Sequence, residues 1–525
     1  MRKFITKKKS TRTILYAILL AFIVFDLSYS FKQYRGATLD GDIADCVLPG
    51  LCIQKLFDDP TGVKTIINND KHLGTNRFFT HFFMYKTFRE IPLFFQKFCD
   101  PINSVYYTSA VAKLAMQIMI LLLLAIIVNG NFRLFAFKFI LITAIILPFF
   151  QTNGNLLVRE IGIIDPSITY SFSYALPLIF VLLYYLPLFL ELLHNKKIKM
   201  NWFLIVLWAV FAIISCFSGP LNSPIILITN FILLGYLFIK NWSSGSKNFS
   251  RHAELVSASP AKGGIAGQAH NDGSILSKIF TSIKKIDSRM YWFLIPISVI
   301  ALYSTFLGTY IDAYEDIKPS LKELYLLLPK GIFNSFINFI SYSIILFLLV
   351  ANYLIIRLKH KNNEQSKKIM NLYKFLLVFS IIYLLLLPFG GYRPYRPLLL
   401  RYDTILPITI FSIITICYAI QFILQQLQPE KWKNVLKITY CLVIFLILLF
   451  FTYKDQIYIY NECEKSSLYM ISNSKEDIIV LENDCSVVGW FPVYTPEESK
   501  YYGELLYLWK ITDKPKLYYN RPQNE

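Results

Sequence analysis

Three carboxylates, Asp40, Asp42 and Asp45, stand close together directly after the first long apolar run of this chain. Asp40 and Asp42 can converge on one cation, because Gly41 allows the backbone to turn tightly between them. Alternatively, one carboxylate can act as a general base toward a hydroxyl nucleophile. An isolated acidic triplet in a loop is more often a solvated turn. The apolar residues that flank this triplet favour a defined site over a free loop tip.

A second group of residues that could do chemistry lies in the short loop GGYRPYRPLLLRYD, which carries Arg393, Arg396 and Arg401. The planar guanidinium group of arginine matches the oxygens of phosphates and carboxylates. Tyr392 and Tyr395 add ring faces and hydroxyls of the kind that hold sugars or headgroups. The prolines fix the backbone, so the arginines are held in place. The alternatives are contact with lipid headgroups and pairing with acidic residues of other loops.

The elements that must position these loops are about eleven apolar runs of roughly 17–25 residues, the length that crosses a bilayer. They lie near 13–30, 108–128, 133–151, 168–192, 202–218, 224–240, 291–311, 332–356, 372–388, 404–424 and 435–452. The chain is 55% hydrophobic, with a mean hydropathy of +0.46. Soluble helices show one apolar stripe, whereas the run 116–128 is apolar all round. The sequence therefore predicts an all-α membrane protein.

The distribution of basic residues predicts the orientation. The first twelve residues contain six lysines and arginines and no acid, which places the N-terminus in the cytoplasm. Counting spans from there puts the later lysine clusters on the same side. These clusters are Lys196, Lys197 and Lys199, then Lys359, Lys361, Lys367 and Lys368, then Lys431 and Lys433. The formal charge of +19 follows from this topology and from anionic lipid, and it requires no nucleic-acid partner.

This topology predicts a polytopic membrane domain over 1–452 and an extracytoplasmic C-terminal domain over 453–525. The first outer loop, 31–107, contains the aromatic segment 78–98, which suits a helix in the membrane interface or one packed against the bundle. Residues at about 245–280 are rich in Ala, Ser and Gly and predict a disordered cytoplasmic insert. This insert resembles the translated interspersed repeats of some bacterial genomes, which implies a bacterial host.

The predicted C-terminal domain differs from the apolar runs in its composition and in its pattern of apolar residues. Its segment Asp477–Glu482 predicts a strand and 498–510 predicts a short amphipathic helix, so a small α/β appendage is expected. Local spacing favours the disulfides Cys46–Cys52 and Cys463–Cys485, although connectivity cannot be deduced from sequence. The chain contains no CxxC, HExxH, Walker or GxSxG motif. The usual signatures of metalloproteases, ATP-driven pumps and serine hydrolases are therefore absent.

The layout resembles the GT-C class of membrane glycosyltransferases, which take a sugar from a polyprenyl-phosphate carrier. The resemblance rests on the number of spans, the cytoplasmic N-terminus, the acidic first outer loop and the outer C-terminal domain. It implies that Asp40 or Asp42 is the catalytic base or the ligand of a divalent cation, Mg or Mn, if one is needed. It also implies that Arg393, Arg396 and Arg401 bind the phosphate of the carrier. The motif GGYRPYRP…LRYD is also similar to uncharacterised bacterial multi-pass envelope proteins.

The function that this resemblance implies is sugar transfer to an envelope glycan or lipid acceptor at the outer face of a bacterial cytoplasmic membrane. The first alternative is a multi-pass transporter or flippase for a lipid-linked or anionic substrate, although the centres of the spans carry few ionisable residues. The second is a ligase or polymerase of lipid-linked polymers, and such enzymes typically rely on a large outer loop late in the chain. The third is a purely structural membrane protein.

Overall fold

The structure, a computed structural model, describes most of the chain. The described residues are 2–70, 74–150, 161–199, 201–257, 287–310, 319–338, 340–359, 363–390, 392, 394, 397–426, 431–453 and 460–521. Its helices are α1 (Arg2–Arg35), α2 (Asp42–Val47), α3 (Leu51–Asp58), α4 (Val63–Asn68), α5 (Phe78–Phe95), α6 (Pro101–Asn129), α7 (Phe137–Ile146), α8 (Ile168–His194), α9 (Trp202–Cys216), α10 (Asn222–Ser257), α11 (Ser288–Leu307), α12 (Leu321–Asn338), α13 (Ile340–Lys359), α14 (Glu364–Leu386), α15 (Leu406–Gln426), α16 (Lys431–Tyr453), α17 (Glu462–Asn473) and α18 (Lys500–Leu508). The two strands are β1 (Ile478–Leu481) and β2 (Leu517–Asn520).

Within these described ranges, eight helical segments are long and apolar enough to cross a membrane. They belong to α1, α6, α8, α10, α11, α13, α14 and α15. Three shorter apolar helical segments, Phe137–Phe150, Trp202–Cys216 and Lys437–Phe451, coincide with the other three apolar runs of the sequence. The architecture is consistent with an all-α multi-pass membrane protein, and helix length alone supports eight of the predicted spans. Helix α10 also extends into the segment predicted as an insert, of which 258–280 lies outside the described residues.

Helix α15 occupies the centre of the bundle, and 94% of its most apolar window is buried. The peripheral helices instead expose large apolar side chains, among them Phe231, Trp292 and Phe347. Exposed apolar surface on this scale is unfavourable in water and suits a lipid environment. The buried helix therefore packs against protein on all sides, while the outer helices present the surface that lipid would cover.

The two ends of the bundle differ in chemistry. Helix α8 begins next to Asp40 and ends at His194. The charges of Lys138, Lys196 and Lys368 all act on His194, and the Nζ atom of Lys368 donates a hydrogen bond to the carbonyl of Leu193, at 3.1 Å. One end of the bundle therefore carries the carboxylates of the first loop. The other end gathers Lys138 of α7, Lys368 of α14 and Lys196, which follows α8.

Helix α5 in the first loop packs one face against α6 and α2. Its buried residues recur every fourth position, as a single helical face requires: Thr80, Met84, Phe88 and Pro92. Phe94 and the following Phe98 remain exposed. The segment therefore packs against the bundle along one face, and its opposite face stays open.

The C-terminal tail, residues 460–521, forms a small α/β unit in which β1 and β2 pair in parallel. The predicted strand is confirmed by β1, and the predicted helix by α18. Cys463 and Cys485 form a disulfide, as expected. The predicted Cys46–Cys52 pair is wrong, because Cys46 is a buried free thiol whose Sγ contacts Nδ1 of His81, at 3.2 Å.

The tail contacts α5 at the backbone carbonyl of Phe88, which lacks its usual hydrogen-bond donor within the helix. Pro92 has no N–H, so the carbonyl of Phe88 lacks its usual i+4 partner. The Nε1 atom of the fully buried Trp509 donates to this carbonyl at 2.8 Å. Gln96 Nε2 then donates to the carbonyl of Trp509, at 2.6 Å. The missing hydrogen bond at Pro92, within the last turn of α5, thus provides the attachment point of the tail.

We expect Trp509→Phe to destabilise the docked tail by about 1–3 kcal/mol, because the buried Phe88 carbonyl loses its donor. Pro92→Ala supplies a helical N–H to the same carbonyl, so the cost of Trp509→Phe should fall in that background. A double-mutant cycle on thermal unfolding measures this coupling. Tyr507→Phe, at a half-exposed ring nearby, serves as the control and should leave stability unchanged. Equal costs of Trp509→Phe in both backgrounds would contradict the role of Pro92.

Candidate functional site

Asp40 is buried and fixes the start of α8. Its Oδ2 accepts hydrogen bonds from Ser167 Oγ, at 2.7 Å, and from the backbone N–H of Thr169, at 3.0 Å. Its Oδ1 accepts a hydrogen bond from Thr169 Oγ1. A carboxylate at a helix N-terminus also interacts favourably with the helix dipole. The structure thus gives Asp40 a role in joining the first loop to the bundle.

Asp42 lies two residues on, half-buried, at the start of α2. Its Oδ1 accepts a hydrogen bond from Nε1 of Trp490 in the tail, at 2.9 Å. Gly41 makes this approach possible, since a Cβ there would lie 2.9 Å from the Trp490 backbone nitrogen. Gly41 has an ordinary right-handed helical conformation. Glycine at position 41 therefore leaves space for Trp490. The turn expected from the sequence does not itself require glycine.

The surroundings of Asp42 raise its pKa toward neutral pH. The pKa of Asp42 is raised from 3.8 to about 6, mainly by burial and to a smaller extent by the neighbouring charges of Asp40 and Asp45. The hydrogen bond from Trp490 and the charge of Arg77 act in the opposite direction. A general base is most effective when its pKa lies near the working pH. Asp42 therefore has the proton affinity that such a base requires.

The donor set at Asp40 and Asp42 does not fit a divalent cation. Both oxygens of Asp40 already accept hydrogen bonds from Ser167 and Thr169. Mg²⁺ and similar hard cations need several oxygen ligands arranged around one point. Across the ranges that the structure describes, no group of three or more His, Cys, Asp or Glu side chains is arranged to hold a metal.

Of the second predicted loop, Arg393, Tyr395 and Arg396 lie outside the described residues. Tyr392 is half-buried and packs beside a small apolar cluster of Leu324, Leu328 and Leu399. Arg401 is described, and its Nε donates to Oδ1 of the buried Asp403, at 2.7 Å. The guanidinium of Arg401 is therefore oriented by a carboxylate two residues away.

The Arg401–Asp403 pair lies beside α14 and α8. The hydroxyl of Tyr383 on α14 donates to the carbonyl of Thr404, at 2.7 Å. The charges of Asp403 and Arg401 act on the same hydroxyl, as does Tyr174 of α8. Tyr383 thus places the second loop next to the first turns of α8.

A row of three aromatic rings links the two predicted loops. The ring of Trp490, which binds Asp42, lies 5.6 Å from the ring of Tyr170. Tyr170 lies 6.2 Å from Tyr174, measured between ring centroids. We call Trp490, Tyr170 and Tyr174 the aromatic row. It joins Asp42 at one end to the neighbourhood of Arg401 at the other, so both loops share one end of the bundle.

An apolar groove begins at the Tyr174 end of the aromatic row and runs between α8, α10 and α15. Its lining on α8 extends from Ser173 to Phe189. This distance is about 24 Å at the helical rise of 1.5 Å per residue. Its internal volume of about 40 Å³ makes it a narrow slot lined mainly by apolar side chains. Thr229, which also lines it, is buried with its hydroxyl unpaired in the structure.

Local backbone irregularity shapes the mouth of this groove. Helix α8 contains a π-helical turn, Ser171–Ala175, which ends two residues before Pro177. Proline cannot donate to the preceding turn, and a π-turn absorbs the mismatch. The carbonyl of Pro177 itself accepts a hydrogen bond from Asn222 Nδ2 of α10, at 3.2 Å. Such turns are frequent at functional sites, and this one carries Tyr174.

His81 and Cys46 form a second close pair behind Asp42. Burial and the charge of Arg77 lower the pKa of His81 to about 3. Burial and the adjacent carboxylates raise the pKa of the Cys46 thiol well above its usual value. Both groups are therefore neutral at pH 7, and the thiol is not activated as a nucleophile. This pair contributes packing under the site.

Sequence reasoning missed Trp490, Tyr170 and the buried Glu464. Glu464 Oε2 accepts from the backbone N–H of Leu39, at 3.0 Å. Trp490 and Asp42 are 448 positions apart, and no local pattern signals such a contact. The change from continuous apolar runs to a mixed polar and apolar composition in the tail was the one available indication that the tail belongs to the site.

Comparison with protein-family models, with curated proteins and with solved structures finds no match to this chain. The fold alone therefore defines the class of protein. It is consistent with an all-α multi-pass membrane protein, and its candidate site lies where the first loop, the start of α8 and the tail meet.

Proposed function

We propose that this protein is a membrane glycosyltransferase that moves a sugar from a polyprenyl-phosphate carrier to an envelope glycan or lipid acceptor. The observation that carries the proposal is the apolar groove whose Tyr174 end lies near the Arg401–Asp403 pair and connects through the aromatic row to Asp42. The arrangement offers a slot for a hydrocarbon chain, a cationic side chain at its mouth and a carboxylate within reach. A lipid-linked sugar presents a hydrocarbon chain, then a phosphate and then a sugar, in the same order.

In this proposal the polyprenyl chain lies in the groove and its phosphate lies at the loop that carries Arg401. Arg393 and Arg396 belong to the same loop and supply further positive charge for the phosphate. Positive charge stabilises the phosphate as the leaving group, since negative charge develops on it when the glycosidic bond breaks. The sugar then lies along the aromatic row, between the phosphate and Asp42.

The proposed reaction is a single displacement. Asp42 takes the proton of the acceptor hydroxyl, whose oxygen attacks the anomeric carbon from the face opposite the phosphate. The bond between the anomeric carbon and the phosphate oxygen breaks, and its electron pair leaves with the carrier phosphate. The products are the glycosylated acceptor with inverted configuration, the carrier phosphate and protonated Asp42. The step needs no second carboxylate and is written without a metal.

The proposed location is a bacterial cytoplasmic membrane, with the N-terminus in the cytoplasm and the tail outside. The clustering of Lys138, Lys196 and Lys368 at the end opposite Asp40 supports this orientation, because basic residues concentrate on the cytoplasmic side. The site would then face the extracytoplasmic side, where envelope glycans are assembled. Membrane lipids are the remaining expected partner, and no nucleic acid is involved.

Filling the groove should weaken binding of the carrier. We expect Ile225→Phe, in the groove lining, to raise the Kd for a long-chain polyprenyl phosphate by roughly tenfold, since overpacking by a ring costs about 1–3 kcal/mol. Microscale thermophoresis in detergent gives this value. The matched control is Ile344→Phe, in a separate apolar cleft between α13 and α16, which should leave Kd unchanged. Equal effects of both variants would place the carrier elsewhere.

The principal experiment is transfer of a radiolabelled sugar by the purified protein, with a panel of polyprenyl-phosphate sugars and envelope acceptors. Transfer would support the proposal. A flippase for a lipid-linked or anionic substrate is the alternative, because the groove runs from the Asp42 end into the bundle. Reconstituted vesicles distinguish the two, since a flippase moves labelled carrier between leaflets without a covalent product. Such movement without transfer would favour the flippase and overturn our proposal.

A further inference from the structure

The segment of the tail that carries Trp490 is braced from several sides. The disulfide Cys463–Cys485 anchors its beginning to α17. Asn520 Nδ2, from β2, donates to the carbonyl of Cys485 at 3.0 Å. The hydroxyl of Tyr518, from the same strand, donates to the carbonyl of Val487 at 2.9 Å. These contacts come from two different elements and hold the backbone just ahead of Trp490.

The next residue, Val488, has an unusual backbone conformation. Its φ angle is +53°, in the left-handed region that β-branched residues rarely adopt. Val488 is fully buried, and its N–H donates to Oε1 of Glu464, at 3.0 Å. Such strain persists only where the surroundings enforce it, and it concentrates at functional sites. Here it turns the chain so that Trp490 reaches Asp42.

We propose that Trp490 is a positioning residue, which holds Oδ1 of Asp42 so that Oδ2 faces the acceptor hydroxyl. This inference rests on the glycosyltransferase function proposed above. It assigns the tail a part in the reaction itself, since the indole N–H comes from residue 490 and the carboxylate from residue 42. The braced, strained segment supplies the rigidity that a positioning group needs.

The direction of the effect on Asp42 follows from its neighbours. The charged and titratable groups that act on it or border it are Asp40, Asp45, Cys46, Arg77 and Tyr502. Trp490 donates a hydrogen bond to the carboxylate and favours its ionised form. Removing this donor should therefore raise the pKa of Asp42 above about 6.

The test compares Trp490→Phe, which keeps a ring and removes the donor, with Trp490→His, which restores an N–H. The first measurement needs no substrate. A carbodiimide reacts with protonated carboxyl groups, and mass spectrometry follows the adduct at Asp42 as a function of pH. We expect the midpoint of labelling to lie higher in Trp490→Phe than in wild type and to return toward wild type in Trp490→His. Phe491→Ala, at the exposed neighbouring ring, is the control and should not move it.

The second measurement is the transfer assay. Misplaced catalytic groups lose rates of up to roughly a hundredfold, so we expect kcat to fall about ten- to a hundredfold in Trp490→Phe. KM for the donor should change little, because phenylalanine keeps an aromatic ring at this end of the aromatic row and the carrier phosphate lies at the other end. An unchanged labelling midpoint, or an equal shift in Phe491→Ala, would overturn the positioning role. A shifted midpoint without transfer from any donor would support the contact and overturn the proposed glycosyltransferase.

Discussion

Replacing Asp42 by Asn should lower the rate of sugar transfer by about 10²- to 10⁴-fold, the usual contribution of a general base. Asparagine has nearly the same shape, and its carbonyl oxygen can still accept the hydrogen bond from Trp490 Nε1. The variant therefore removes the basic function and preserves the packing of the tail on the first loop. Single-turnover transfer from a polyprenyl-phosphate sugar measures the loss directly.

The role of Asp42 as the base also predicts how kcat/KM depends on pH. Because the pKa of Asp42 is raised from 3.8 to about 6, kcat/KM should rise as pH increases through about 6. An ordinary aspartate would already be ionised near pH 4. The raised pKa also means that the folded state binds this proton more tightly than the unfolded chain. Asp42 therefore favours folding below about pH 4, and this contribution is lost as pH rises through about 6.

Two neighbouring carboxylates provide the controls for Asp42. Asp45 is exposed on the same short helix, so Asp45→Asn should change the transfer rate only slightly. Asp40→Asn should instead reduce stability, because Asp40 accepts hydrogen bonds from Ser167 and Thr169 at the start of α8. A normal rate in Asp42→Asn together with a collapse in Asp45→Asn would move the base to Asp45.

Glu464→Ala should cost about 3 kcal/mol of stability or more, because three buried donors lose their acceptor, and it should release the tail from the first loop. The Glu464 carboxyl accepts hydrogen bonds from the backbone N–H groups of Leu39 and Val488 and from the hydroxyl of Tyr106. Alanine leaves these buried donors without an acceptor, at about 1–3 kcal/mol for each unsatisfied group. Thermal unfolding and limited proteolysis of the tail both report the loss.

The matched control is Glu462→Ala, two residues earlier on α17 and exposed, which should leave stability unchanged. Burial raises the pKa of Glu464 from 4.5 to about 7, so the folded state binds this proton more tightly than the unfolded chain. The docked tail should therefore lose stability as pH rises from about 4.5 to about 7. This dependence should be absent in Glu464→Gln. A tail that stays protected from protease in Glu464→Ala would contradict this account.

Local patterns in the sequence predict the long apolar helices well. Apolar runs such as 116–128 are continuous along the chain, and bilayer thickness sets their length. The strand at Ile478–Leu481 and the helix at Lys500–Leu508 also follow from the local pattern of apolar and polar residues. The runs near 133–151 and 202–218 correspond to shorter helices, since apolar loop residues extend a hydropathy pattern beyond the helix itself.

The candidate site could be predicted only in part. The sequence singled out Asp42 because acidic residues are conspicuous after an apolar span. It could not assign Asp40 to the start of α8, since Ser167 and Thr169 lie more than 120 positions away. The Cys46–Cys52 prediction failed for a related reason. Short spacing made a disulfide plausible, whereas the tertiary fold places Cys46 against His81.

The contact between Trp490 and Asp42 has a consequence for how the protein is made. Asp42 leaves the ribosome early, whereas Trp490 is synthesised 448 residues later. Contacts between such distant segments form late in folding, after the intervening chain has been placed. The first loop therefore carries Asp42 without Trp490 until the tail has been synthesised and has docked. A chain truncated during synthesis would carry Asp42 without its partner, so under the proposed function only molecules with a complete tail would transfer sugar.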